Sequence, residues 1–252
     1  MSKIVILIPT FNEGKSIAGL LLQLKDFRVR ENLPFDILII DDNSPDGTAE
    51  IVDNLQLPWV EILHRPRKAG LGAAYRSGFA QVMASNSYSH VVTMDGDGSH
   101  RVEDLRAMIN AIQPGKSIVL GTRWIAGGGV VNWPKSRQFL SKSGTRYAKL
   151  ALKLDLNDLT GGYRIYSSEL LNTLNLKDMK ATGYSFQIEM AMAASLAGAL
   201  TTEVPITFVE RVDGVSKMTM AIVIEALLQI TRWGLSRRFT PNADKLHYVK
   251  YR

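Results

Sequence analysis

No cysteine occurs among the 252 residues, so neither a disulfide framework nor a thiolate metal site is available, and a reducing compartment is the natural expectation. Long apolar runs are missing as well. The stretch from Met1 to Pro9 is too short for the apolar region and cleavage site of a signal peptide and reads as a first strand, so no export signal is expected. The most apolar later stretch, 218–235, is interrupted by Glu225 and Arg232 and falls short of the roughly 20 apolar residues that span a bilayer. Repeats, low-complexity segments and zinc, RNP or helix-turn-helix patterns are lacking too, which argues against a nucleic-acid-binding module. What is present, 46% hydrophobic and 21% charged residues, suffices for a sizeable core in one large domain or one domain with an appendage.

Short apolar, β-branched runs at Lys3 to Ile8, Phe35 to Asp41, Trp59 to Leu63, Ser89 to Met94 and Ser117 to Leu120 alternate with helical spacing, such as Ile17, Leu20, Leu21 and Leu24, or Leu105, Met108, Ile109 and Ile112. Strand-helix-strand repetition predicts an α/β fold with an open, mostly parallel sheet, whose ligands collect beyond the carboxyl ends of the strands. Three acidic loops fall there: Pro9 to Glu13, Asp41 to Asp46, and Asp95 to Ser99. Asp95 and Asp97 are the most informative pair. Strand residues that are neighbours but one would need a turn, expected at Gly96, to aim two carboxylates at one ion; hard cations such as Mg²⁺ or Mn²⁺ prefer those oxygens and keep positions open for phosphate and water. An Asp-Gly-Asp-Gly run also makes a plain solvated turn. Asp46, between Pro45 and Gly47, is expected to shape a turn and cap the next helix, so it is left out of the site.

After Trp124 the character changes. Gly127-Gly128-Gly129 reads as a flexible joint before a basic amphipathic segment, 135–154, with Lys142, Arg146, Lys149 and Lys153 on one stripe and Phe139, Leu140, Tyr147, Leu150 and Leu154 beside it. The 218–235 segment is apolar around most of its circumference, with Glu225, Gln229 and Arg232 on a narrow strip. From Arg232 to Arg252 six Lys or Arg face one acid, part of a net charge of +6. Two amphipathic helices, a basic tail and the aromatics Phe239, Tyr248 and Tyr251 predict a protein lying on a membrane surface among anionic headgroups. The expected division is 1–217 for the main domain and 218–252 for a C-terminal helix and tail.

The segments Ile8-Pro-Thr-Phe-Asn-Glu13, Ile40-Asp-Asp-Asn-Ser-Pro-Asp-Gly-Thr48, Met94-Asp-Gly-Asp97, Gly121-Thr-Arg123 and Gly214-Val-Ser-Lys217 together resemble the inverting family 2 glycosyltransferases of GT-A fold, the polyprenyl-phosphate (dolichyl-phosphate) mannose synthases among them. The resemblance implies a GDP-mannose donor, a polyprenyl phosphate acceptor at the cytoplasmic face of a membrane, and Mg²⁺ or Mn²⁺ on the aspartate motif. A membrane-anchoring partner protein is compatible with it. By the same resemblance Pro9, Thr10, Glu13, Asp41 and Asp42 surround the base and ribose, and Asp95, Asp97 and Ser99 hold the metal. Arg123, Arg137 and Ser141 serve the acceptor phosphate, Arg211 and Lys217 close over the diphosphate, and Asp97, Arg123 and Lys217 carry the catalytic burden. Ser99 stands where the family often has glutamine, and Val215 where it has glutamate. Gly70-Leu-Gly72 resembles a helix start near the nucleotide, though packing explains such glycines equally. Asp158, Arg164, Gln187 and Glu189 fall in segments that line the sugar and acceptor side, with helix-surface polarity the alternative for the last two.

A prenyl phosphate is already anionic near neutral pH, so the implied displacement needs no serine-histidine device, and none is evident. His100 is expected to be a hydrogen-bonded or exposed neighbour rather than a base or ligand. Transfer from UDP-glucose or another nucleotide sugar is the alternative within the same fold. The pattern Gln229-Ile-Thr-Arg-Trp233 matches processive polysaccharide synthases, but without spanning segments it reads as coincidence.

Overall fold

A computed structural model describes residues 3–183, 185–210, 220–239 and 247–250. In chain order the elements are β1 (Ile4–Thr10), α1 (Ile17–Arg30), β2 (Phe35–Asp41), α2 (Thr48–Asn54), β3 (Val60–His64), α3 (Leu71–Ser85), β4 (His90–Thr93), α4 (Asp104–Asn110), β5 (Ser117–Thr122), β6 (Gly129–Val131), α5 (Lys135–Leu152), β7 (Arg164–Ser167), α6 (Ser168–Thr173), α7 (Ser185–Leu196), β8 (Leu200–Pro205), β9 (Thr207–Val209) and α8 (Met220–Phe239). Seven strands form one sheet in the order β3-β2-β1-β4-β7-β5-β8, and β6 with β9 makes a separate ribbon. All pairings are parallel except those of β7, which runs antiparallel between β4 and β5.

Alternation along β1 divides the core. Ile4, Ile6 and Ile8 pack with α1, α2 and α4 on one face; Val5 and Leu7 face α3, α5, α6, α7 and α8 on the other. The chain leaves β1 outward through β2 and β3 and returns on the other side at β4. The crevice between the ends of β1 and β4 is therefore the switch point where an open α/β sheet takes its ligand.

The three glycines 127–129 are a tight turn rather than a flexible joint. Gly127 has φ 85°, the Gly128 amide donates to Ile125 O (2.9 Å) and the Gly129 amide to Ile206 O (3.0 Å). A Cβ on Gly128 would stand 2.5 Å from Thr122 O, so close backbone approach is what the glycine serves.

Helices α5 and α8 pack on each other. Ala148 and Leu152 meet Ile230 and Trp233 in the core, a Cβ on Gly234 would lie 2.9 Å from Ala151 O, and Tyr147 Oη and Thr231 Oγ1 are hydrogen-bonded at 2.6 Å. Leu154, on the apolar side of the 135–154 segment, and Ile230 and Trp233, within the apolar 218–235 stretch, are buried here rather than turned to a membrane. Tyr248, expected among headgroups, is buried too and donates its hydroxyl to Glu189 (3.2 Å), while Val249 bridges Leu174. Each spends apolar area against the core that sequence alone leaves free to face lipid.

Candidate active site

The β4 strand ends at Thr93, whose hydroxyl donates to Gly162 O (2.7 Å), and the chain then turns through Asp95 and Asp97. The turn runs through Gly96 and Asp97, as expected, and the left-handed residue that follows it is Gly98, with φ 76°. Gly96 is buried because β1 presses on it: a Cβ there would meet Ile8 Cγ2 and Thr10 Cγ2, each at 3.3 Å. The Ser99 amide donates to Asp97 Oδ1 (3.0 Å), an Asx arrangement that sets the second carboxylate. The Asp95 amide donates to His100 Nδ1 (3.0 Å). His100 itself is buried, stacked on Tyr163 at 4.8 Å and edge-on to Phe208 at 5.4 Å, and its Nε2 stands 3.7 Å from Asp95 Oδ2.

These acids open onto a cavity of about 560 Å³ that is also lined by Ser99, Arg123, Arg137, Ser141, Gly162 and Gln187. The structure thus brings the expected metal and acceptor residues together. Arg123 stands at the exit of β5 and is buried. Its Nε and Nη2 donate to Asp158 at 2.6 and 2.8 Å, and Nη2 also to Thr160 Oγ1 at 2.8 Å. Trp124, Trp133 and Phe208 surround the guanidinium at 5.2 to 5.5 Å. Burial pushes the Asp158 carboxyl up, but the charge and hydrogen bonds of Arg123 outweigh it and hold the group below the usual carboxylate range. Ser141 Oγ lies 3.4 Å from Thr160 Oγ1. Arg137 pairs with Glu210 and covers the Trp133 ring at 4.0 Å. Arg211 and Lys217 lie outside the described residues.

The residues expected at the base and ribose gather at the ends of β1 and β2. Thr10 Oγ1 donates to Asp41 Oδ1 (2.9 Å), and the Ser44 amide to Asp41 Oδ2 (2.9 Å), so Asp41 holds the turn that follows β2. Asp42 pairs with Arg65; burial raises its carboxyl and the Arg65 charge partly offsets that. The Glu13 amide donates to Thr48 Oγ1 (3.1 Å), and Pro9, partly buried, leads into this loop. Asp46 accepts from the Thr48 amide (3.1 Å) and the Gly14 amide (2.9 Å), the turn-and-cap role its neighbours predict. Gly72 is a packing glycine: its amide donates to Thr182 O (2.9 Å), and a Cβ would stand 2.2 Å from Ala181 O.

Of the four candidates on the sugar side, Arg164 donates to the carbonyls of Gly161, Gln187 and Leu159 and holds the scaffold. Glu189 is buried rather than on the helix surface, and accepts from the Ala181 amide and Tyr248. Asp158 belongs to Arg123, and Gln187 faces the cavity. Sequence reasoning missed Thr160, Trp133, Phe208 and Glu210. They come from separate segments, and no spacing announces that they converge.

Among the described residues no cluster of three or more His, Cys, Asp and Glu gathers to hold a metal. The donor set at the turn, two carboxylates beside a hydroxyl, fits a hard divalent ion that takes its other ligands from diphosphate and water.

Residues 5–174 match the model of the family described as Glycosyl transferase family 2. The chain is 41% identical over 239 residues to the undecaprenyl-phosphate mannosyltransferase of Micrococcus luteus, covering 94% of this chain and 96% of that one. It is 40% identical over 238 residues to the polyprenol monophosphomannose synthase of Mycolicibacterium smegmatis, covering 93% and 88%. Solved structures share the fold at low identity. Mannosyl-3-phosphoglycerate synthase from Rubrobacter xylanophilus superposes with a TM-score of 0.67 at 17% identity, over 96% of this chain and 75% of that one. Glucosyl-3-phosphoglycerate synthase from Mycobacterium tuberculosis, in complex with Mn²⁺, UDP and glucosyl-3-phosphoglycerate, gives 0.66 at 17%, over 94% and 80%. With a GT-A-like sheet, carboxylates at its switch point and a family match across most of its length, the chain belongs to glycosyl transferase family 2.

Proposed function

We propose that this enzyme transfers mannose from GDP-mannose to a polyprenyl monophosphate, with inversion to a β-linked lipid phosphomannose. One observation carries the reading: a single cavity is lined both by Asp95, Asp97, Arg123 and Arg137 and by Leu140, Tyr147, Val223, Leu227 and Ile230. The charged residues suit diphosphate and phosphate, and the apolar ones suit an isoprenoid. The near full-length relatives bear names for this activity.

The acceptor oxygen is already anionic, so Arg123 and Arg137 need only orient it, and guanidinium forks match phosphate geometry. Thr160 and Asp158 fix the Arg123 fork before the substrate arrives. A divalent ion, Mg²⁺ or Mn²⁺, held by Asp95 and Asp97 beside Ser99 would neutralise charge on the departing diphosphate. The family resemblance supports Arg211 and Lys217 for the donor diphosphate and Pro9, Thr10, Glu13, Asp41 and Asp42 for the nucleotide. Holding both substrates in one crevice makes the displacement effectively intramolecular.

Membrane contact is part of the proposal. Among the described residues no helix is long and apolar enough to cross a bilayer. Yet α5 and α8 expose Phe139 (74%), Leu150 (71%) and Leu228 (67%), beside the basic residues Lys142 and Arg146. The protein then sits peripherally on the cytoplasmic face, with or without an anchoring partner, and draws the lipid in between these helices. Replacing Phe139 and Leu150 together by Asp is expected to weaken sedimentation with anionic vesicles by about 10-fold or more, since each buries on the order of 1.5–3 kcal/mol when fully inserted. Unchanged vesicle binding would remove this face from the account.

The decisive assay uses purified protein, undecaprenyl phosphate and labelled GDP-mannose, GDP-glucose or UDP-glucose, with and without chelator. Label is expected in lipid from GDP-mannose alone, lost with EDTA and restored by Mg²⁺ or Mn²⁺. Preference for another donor refutes the sugar assignment, and turnover indifferent to EDTA refutes the metal.

A further inference from the structure

Gln187, the third residue of α7, is 1% exposed, and neither its Nε2 nor its Oε1 has a hydrogen-bond partner among the described residues. Its side chain nevertheless lines the cavity. Leaving a buried polar group unpaired costs on the order of 1–3 kcal/mol. Its neighbours along α7, Phe186, Ile188 and Met190, are all apolar and buried, and leucine would occupy a similar volume at 187.

The amide lies beside the first carboxylate. The point at which a side chain would start on Gly162 is 3.4 Å from Asp95 Oδ1, 3.4 Å from Gln187 Nε2 and 3.7 Å from His100 Cε1. Three chain segments converge there, and the glycine leaves the space between them open.

We infer that this space reads hydroxyls of the transferred hexose: Gln187 takes a vicinal pair, one hydroxyl donating to Oε1 and the other accepting from Nε2, and thereby selects the sugar. The complementarity argument excludes the other groups in the reaction. A primary amide offers an acceptor and donors together. A phosphate dianion has no proton for Oε1, and a cation has no acceptor for Nε2. A diol satisfies both atoms. This rests on the glycosyl-transfer reading above, and Gln187 acts in specificity, without entering the bond exchange.

The test compares wild type with Gln187→Leu and Gly162→Ala. For each, the melting temperature without ligand, the affinity for GDP, and kcat/KM for GDP-mannose, GDP-glucose and UDP-glucose on undecaprenyl phosphate are measured. Gln187→Leu is expected to melt at the same or a higher temperature and to bind GDP as wild type does. Its kcat/KM for the preferred sugar should fall by about 100-fold or more, with the margin over the other sugars collapsing, because a site built to hydrogen-bond a hydroxyl discriminates strongly through it. Gly162→Ala, which puts a methyl into the same space, should lose that margin too. An unchanged margin in Gln187→Leu overturns the inference, as does a parallel loss of GDP affinity or of melting temperature, which would mark the amide as scaffold. Failure of the functional reading shows separately, in the wild type. If wild type prefers a different sugar, the donor assignment falls, and the inference is judged on the margin for that sugar. If it transfers none, both fall.

Discussion

Asp97→Ala is expected to cut lipid-linked mannose formation by about 10²- to 10³-fold while the protein stays folded. Neutralising charge on a leaving diphosphate is the largest single demand of this displacement, and loss of one such electrostatic group costs roughly 3–4 kcal/mol of barrier. Asp97 is partly exposed at the cavity rim, so its removal opens no core. The local cost is the Ser99 amide bond, about 1 kcal/mol, or a fall of roughly 2–4 °C in melting temperature for a chain of this size. Asp97→Asn sharpens the test. It keeps an oxygen for Ser99 but removes the charge, so it should melt like wild type and still fail in the radiolabelled lipid assay. Turnover retained in either variant would place the diphosphate partner elsewhere.

The sheet was legible because β1, β2 and β5 are buried runs whose apolar residues serve both faces, a pattern that only a covered parallel sheet accommodates. The same logic hid β7. Arg164 begins it, fully buried because three carbonyls take its guanidinium, and a four-residue strand that starts on Arg carries no β signature. Proposed site residues that stand at the end of one strand, such as Asp95, Asp97 and Arg123, announce themselves by position. What they lean on does not. Asp158 and Thr160 lie 35 and 37 residues from Arg123, and the reading of Tyr248 as a headgroup residue could not anticipate that Glu189 would claim its hydroxyl. Asp41 shows the converse: a residue expected at the ligand spends both carboxylate oxygens on Thr10 and Ser44, and shapes the turn after β2.

Arg123→Ala is expected to cost stability as well as activity, and the two losses can be separated. The Arg123 side chain is 5% exposed and that of Asp158 0%, so truncation strands a buried carboxylate, which costs about 3–5 kcal/mol at neutral pH. The pH dependence fixes the cause. In the wild type Asp158 titrates below its usual value, since the Arg123 charge outweighs burial. The stability this confers is complete above the unfolded carboxylate pKa of about 3.9 and disappears as pH falls through the lower folded value. Without Arg123, burial dominates and Arg164, committed to its carbonyls, compensates only in part. The folded pKa then rises above the unfolded one, the folded state holds the proton more tightly, and the variant recovers stability as the pH falls. Urea unfolding should therefore show a deficit near 3–5 kcal/mol at pH 7.5 that narrows by pH 4.5; a deficit independent of pH would trace the loss to packing among Trp124, Trp133 and Phe208 instead. Pairing Arg123→Met with Asp158→Asn removes both charges while the amide keeps an acceptor for Thr160 and Gly161, which Asp158 Oδ1 now serves. That double variant should regain most of the stability and still transfer poorly, with a raised KM for undecaprenyl phosphate, because only the Arg137 guanidinium then remains for the acceptor. Recovery of transfer along with stability would make Arg123 a structural strut and leave the acceptor phosphate to Arg137 and Ser141.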